Sequence, residues 1–375
     1  MTLSRRDFIK LAGLGAGAMA LRPFNGVFPS YPWQDFPQGE RLGRTVATLD
    51  YRSAPRMDYP PQAKAYEDSV VPIIREVVTA SKDLNFVNQR WFETPNGYLY
   101  AGHVQPVRNI PNEPLTAIPE GKKGFWAEVT VPYVDMVMDN PPARSPWAKD
   151  ILAIGKNPRL YYLQVVWIDQ IKTGDNGQIM YRFNEDGGRP DGVTGGSYGD
   201  IFWAAGRAFR PLTAEDVAPI NPNVDPGMKR VVVRATRQEQ NVSCFEGQTE
   251  VYFCKCSTGY EIPGDDNKDR STPSGESSTW RKAISIHMSG GASGAGYDTP
   301  GISWTNLFVG SGIAIHAAFW HNHFGQQFSH GCVNVTPEDA KWICRWTAPS
   351  LSLDLADITL SGEGGTRVAV TRRSF

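Results

Sequence analysis

Apolar and polar residues alternate in short runs along most of this chain, the pattern of half-buried β-strands. A first group of runs includes Thr45-Val46-Ala47-Thr48-Leu49 and the stretch from Val70 to Val78. Asn96-Gly97, between Trp91-Phe92-Glu93 and Tyr98-Leu99-Tyr100, reads as a tight hairpin turn. The group closes on Val104-Gln105-Pro106-Val107. A second group includes the runs 161–168, 178–182 and 200–204, and closes on a comparable phrase, Val217-Ala218-Pro219-Ile220. A third begins near Met228, with strand candidates at 229–233, 249–253, 284–288, 313–316 and 366–370. Gly264 to Ser278 is polar and reads as a loop. One helix is well marked, with Thr336 as N-cap, Pro337 at the first position and Glu338 and Asp339 at the positive end. It should stop before Pro349. The fold class is therefore mainly β, with units over 45–110, 125–222 and 228–372. Residues 21–44, rich in Pro and aromatics without periodicity, read as a linker.

The start of the chain follows another pattern. A charged opening with Arg5-Arg6 precedes a Gly- and Ala-rich apolar run to Leu21, with small residues at Ala18 and Ala20. Residues 1–20 read as an export signal, and Ser4-Arg5-Arg6-Asp7-Phe8-Ile9-Lys10 resembles the twin-arginine signature. The apolar run is shorter than the roughly 20 residues a membrane span needs, so a membrane is a partner only if the signal stays uncleaved. The expected location is extracytoplasmic, periplasm or cell wall. Lys+Arg (38) against Asp+Glu (39) leaves a formal charge of −1, so no basic field attracts nucleic acid, and none is expected as partner. Outside the cytoplasm thiols tend to pair, yet there are five Cys, an odd number, so at least one stays unpaired within the chain. Pairing among Cys244, Cys254, Cys256 and Cys344 is left open.

Composition becomes informative in the last third. Four of the six His lie between 316 and 330, and all five Cys follow residue 243. Gly312-Ile313-Ala314-Ile315-His316 leads, twelve residues on, to Ser329-His330-Gly331-Cys332-Val333-Asn334. A Cys after His-Gly and just ahead of a helix start suits an activated thiol, its pKa lowered by imidazolium and helix dipole. Gly331 lets successive N–H groups converge on one oxyanion. His316, on a preceding strand, is placed to act as general base, oriented by a backbone carbonyl, because no Asp or Glu occurs from Pro300 to Pro337. His321 and His323 read as packing residues, and His287 as core or cleft wall. Phe319, Trp320 and Phe324 fit either cleft or core. A zinc site from His316, His321, His323, His330 and Cys332 fits no common spacing.

His316, the spacer and the Ser329-to-Asn334 run strongly resemble the L,D-transpeptidase catalytic (YkuD-type) domain. Ser271-Thr272-Pro273-Ser274-Gly275-Glu276 resembles that family's Thr-Pro-x-Gly loop, and Gly296-Tyr297 and Gly312 fall where the family places a substrate-site Tyr and a Gly. Ala317 departs from the usual Gly or Ser after the His. The resemblance covers about 228–372 and implies a β-sandwich. Its implied roles are Cys332 as nucleophile and His316 as base, with His330, Gly331 and Cys332 lining the oxyanion region together with the Tyr297 hydroxyl. Gly312, Ser329 and Asn334 shape the site. The implied reaction is acyl transfer between peptidoglycan stem peptides through a thioester, forming 3→3 cross-links, with no metal or organic cofactor. Water as acceptor would make the same site an L,D-carboxypeptidase. The two preceding units resemble bacterial SH3-like modules, which also admits a non-catalytic wall-binding protein.

Overall fold

The structure, a computed structural model, describes residues 32–79, 87–184, 198–260, 270–290 and 297–372. The expected export signal and Gly296 lie outside the described residues. The first β-unit begins at Leu42, inside the segment expected as linker. One of its sheets has Leu42–Thr45 between Val70–Pro72 and Val104–Val107. The other has five strands, with Gly97–Tyr100 paired to Arg90–Thr94 across the Asn96-Gly97 turn. Gly97 has φ 118°, the conformation that turn asked of it. The second unit is a seven-stranded antiparallel sheet between Phe125 and Pro211.

Both units pass through a 3₁₀ turn before their last strand, Ala101–His103 in one and Gly206–Ala208 in the other. The structural counterpart of Val104–Val107 is therefore Phe209–Pro211. The second closing phrase does not hold that place. Val217 ends a short helix, Ala214–Val217, because Thr213 and Asp216 form a capping box there, and 218–220 carry no strand.

The described residues of the C-terminal unit form a sandwich of ten strands. In chain order they are β1 (Lys229–Ala235), β2 (Gln240–Glu246), β3 (Thr249–Lys255), β4 (Gly275–Ser278), β5 (Arg281–Gly290), β6 (Tyr297–Val309), β7 (Ile313–Ala317), β8 (Val333–Val335), β9 (Asp357–Thr359) and β10 (Arg367–Thr371). Helix α1 (Pro337–Trp346) follows β8. One sheet runs β3-β2-β1-β10-β4, the other β8-β7-β6-β5-β9. In β1 every second residue is buried, as its alternation requires. In β7 the last four residues are all buried, as for a strand covered on both faces. The strand β4 falls within the expected polar loop. Its Gly-Glu-Ser-Ser sequence shows no apolar face because it is a largely exposed edge strand, held by antiparallel pairing to β10.

One core joins both sheets and the helix, through Val231, Val242, Ile284, Trp304, Ile315, Val333, Ile343 and Val368. Trp126, Val165 and Leu212 of the second β-unit belong to the same core. The Thr336 hydroxyl accepts from the Asp339 N–H, 3.2 Å, and opens α1 as its sequence predicts.

The other end of α1 is held by a device that alternation hides. Lys282 on β5 is fully buried, and its Nζ donates to the carbonyls of Cys344 (2.6 Å), Thr347 (2.7 Å) and Pro349 (2.6 Å). From the opposite sheet, Lys229 Nζ on β1 donates to the Trp346 carbonyl at 3.0 Å. Burial pulls Lys282 down to about 8, while the three carbonyls favour its ammonium form. A methionine at 282 fills the space but leaves three carbonyls without this donor. Lys282→Met is expected to cost about 3 kcal/mol or more of unfolding free energy in urea titration. A loss under about 1 kcal/mol would show that the lysine contributes little.

Candidate active site

The site forms where β7 and β8 run side by side. They pair in parallel, with Ile315 opposite Val333 and His316 opposite Asn334. Cys332 immediately precedes β8, and two-residue periodicity puts its side chain on the His316 and Asn334 face. The Ala314 N–H bonds to the Cys332 thiol, and Sγ lies 3.9 Å from the Gly312 carbonyl. The nucleophile candidate therefore stands ahead of a strand, not at a helix start, since α1 begins five residues later at Pro337. The expected helix-dipole activation is absent for that reason.

The loop before Cys332 is tied down locally. Gly331 has φ 124°, a region that disfavours any side chain, and a Cβ there would come within 2.8 Å of Ile313 Cδ1. The Gly331 N–H donates to Ser329 Oγ (3.1 Å), and Ser329 Oγ donates to the Cys332 carbonyl (2.5 Å). Thr272, in the loop likened to Thr-Pro-x-Gly, donates to the Gly331 carbonyl at 2.8 Å and accepts from the Gly259 N–H at 3.0 Å. Of the residues expected to line the oxyanion region, Gly331 thus has its N–H engaged, and the His330 side chain is exposed. Tyr297 is 39% exposed, and its ring centre lies 6.0 Å from that of His330. Gly312, at φ 95°, places its carbonyl toward the thiol.

His316 is buried, and its Nδ1–H donates to the Ala317 carbonyl at 2.9 Å. The departure from Gly or Ser at 317 thus leaves the orienting carbonyl in place, and Nε2 carries the lone pair. Burial pulls the imidazole down to about 4. Protein crowds the Cys332 thiol, although part of its surface is open, and pushes it up to about 11, with the Ala314 N–H acting in the opposite sense. Between these values the resting pair is neutral thiol and neutral imidazole. Imidazolium activation, like the dipole, does not operate in the resting state.

Several surrounding residues now have places. Trp320 is half-buried, with its ring centre 5.9 Å from that of His316. Phe319 stacks on Tyr161 of the second β-unit, and Phe324 is buried beside His321. His321 and His323 are buried. Among the described residues no group of three His, Cys, Asp or Glu side chains could hold a metal ion. All five cysteines are free thiols, with Cys244, Cys254, Cys256 and Cys344 buried.

His287, expected as core or cleft wall, is buried, and one contributor, His103, was not anticipated. His287 pairs with Asp298 (2.5 Å), and Asp298 accepts from the Trp147 N–H (3.1 Å), which ties the sheet beneath Tyr297 to the second β-unit. His103 of the first β-unit reaches His323. Neither belongs to a contiguous motif. The only signal was an isolated histidine in an otherwise apolar or turn segment.

Residues 228–370 match the model of the YkuD family, the L,D-transpeptidase catalytic domain. The C-terminal sandwich is an L,D-transpeptidase catalytic domain. Among solved structures, the Enterococcus faecium L,D-transpeptidase is 20% identical, over 38% of this chain and 49% of that one, with a TM-score of 0.29. An L,D-transpeptidase from Mycobacterium smegmatis is 15% identical over 52% of this chain and 90% of that one, with a TM-score of 0.30. The chain spans about half the length of the first-ranked solved relatives. No curated protein matches it.

Proposed function

We propose that this protein is an exported L,D-transpeptidase acting on peptidoglycan stem peptides, with Cys332 as nucleophile. The observation that carries this reading is the neighbouring placement of Cys332 and His316 across the β7–β8 pair, with the imidazole Nδ1–H fixed on the Ala317 carbonyl. A base so oriented presents Nε2 to accept the thiol proton. Because thiol and imidazole rest neutral, His316 takes that proton as Sγ attacks, not before. The carbonyl carbon of the stem's third residue becomes tetrahedral, and the Cys332 N–H and the Tyr297 hydroxyl face its oxyanion. His316 returns the proton to the leaving terminal D-Ala amine, and a thioester remains. The side-chain amine of a second stem then attacks the thioester, losing a proton to His316 and regenerating the thiol.

The two N-terminal β-units are proposed SH3-like modules, and the 1–20 segment is proposed to direct export by the twin-arginine route. Among the described residues no helix is long and apolar enough to cross a membrane. The deciding experiment incubates the purified chain with a defined disaccharide tetrapeptide and reads the products by mass. A cross-linked dimer lacking one D-Ala is expected. Trimmed monomer alone would transfer the reading to L,D-carboxypeptidase, and unchanged substrate would count against both.

A further inference from the structure

The segment that leads from β7 to the Cys332 loop is gripped by the first β-unit, some two hundred residues earlier in the chain. The Asn322 N–H donates to the Gly102 carbonyl (2.9 Å), and Asn322 Nδ2 donates to the Ala101 carbonyl (3.0 Å). The buried Arg44 donates to the Phe319 carbonyl (2.7 Å). His103 and His323 meet edge to face, with ring centres 4.4 Å apart and Nδ1 of one 3.2 Å from Nε2 of the other. The packing at Gly102 leaves no slack, because a Cβ there would lie 2.6 Å from the His323 ring.

Proton placement carries this grip toward the base. The His323 backbone N–H, always a donor, lies 3.2 Å from His321 Nδ1. That makes Nδ1 an acceptor and puts the proton of the neutral His321 ring on Nε2. Nε2 faces the Asn334 side-chain amide at 3.1 Å. The N–H finds an acceptor when the amide turns its oxygen to His321, which also gives a partner to an Asn334 oxygen otherwise buried without one. Gln326 Nε2 lies 2.5 Å from His323 Nδ1, and when it donates there, His323 Nε2–H donates to His103 Nδ1. Asn334 stands opposite His316, and Trp320 from the same segment lies against the His316 ring. The gripped segment thus brackets the catalytic base.

We propose that His103 is a positioning residue for the Cys332–His316 pair, acting from the first β-unit through His323 and the His321–Asn334 contact. The proposal rests on Cys332 being the nucleophile. It makes the first β-unit a working part of the active site rather than only a wall-binding appendage.

The test uses the full chain in four forms: wild type, His103→Ala, His103→Asn and Gly102→Ala. Cys332 acylation by a carbapenem is followed by intact mass over a concentration series, and each form is also melted. His103→Ala and Gly102→Ala are expected to lower the limiting acylation rate about tenfold or more, with the half-saturating concentration within about twofold of wild type. His103→Asn, whose amide oxygen replaces the Nδ1 acceptor, is expected to restore most of that rate. A His103→Ala limiting rate within about twofold of wild type would overturn the proposal, whatever the melting temperature does. The readings separate, because Cys332 alkylation by iodoacetamide needs no transpeptidase activity. If the wild type resists the carbapenem, the transpeptidase reading suffers. Alkylation about tenfold slower in His103→Ala would then still support positioning, and an equal rate would still overturn it.

Discussion

Cys332→Ala is expected to yield a folded protein that forms no acyl adduct and turns over about 10⁴-fold more slowly or worse. The change removes one sulfur beside β8, leaves Gly331 and the Ser329 and Thr272 bonds to the loop in place, and deletes the only partly open thiol among the five. No other cysteine can substitute. Cys244, Cys254, Cys256 and Cys344 are buried, and burial pushes all four thiols up. The check is intact mass after exposure to a carbapenem, alongside the tetrapeptide assay. An adduct on the alanine variant, or dimer formed at the wild-type rate, would remove Cys332 from the mechanism.

His316→Gln is expected to lower the limiting rate by about 10³-fold and to change the pH profile in a defined way. In the wild type, activity should fall as pH drops through about 4, where the imidazole protonates and ceases to be a base. The glutamine variant has no such group, so that acid limb should vanish from its residual activity. A wild-type-like acid limb in the variant would assign it to another residue. The same burial bears on stability. The folded imidazole is neutral down to about 4, whereas the unfolded one charges near 6.5. Across that window the unfolded chain holds more protons, so stability rises with pH and is lost on acidification.

What could be read from the sequence was local or contiguous. Helix α1 was legible because an N-cap, a first-turn Pro and two acidic residues stand together. The His-Gly-Cys run was legible because its chemistry fits within a few residues of one strand. Non-local partners hid the rest. Lys282 follows Arg281 and looks like a second solvent-facing charge until the carbonyls ending α1 are brought to it. The strand β4 has no apolar pattern because its stability comes from backbone pairing at an edge. The electrostatics of Cys332 were misread because its setting depends on which element follows the motif, and a short strand intervenes before the helix. His103 carries no motif at all, and only the docking of two units reveals its neighbour.

The order of strands in the first sheet also sets a timetable. β1, the opening strand of the catalytic domain, is flanked by β2 and β10, and Arg230 pairs with Arg367. As the chain leaves the ribosome, β1, β2 and β3 can pair early, but one flank of β1 stays open until nearly the whole domain has been made. Parallel pairing over so long a separation is slow, and an open apolar flank invites association with other chains meanwhile. A chain stopped before β10 would lack the strand that lies between β1 and β4, so an interrupted translation product should aggregate rather than linger as a half-built enzyme.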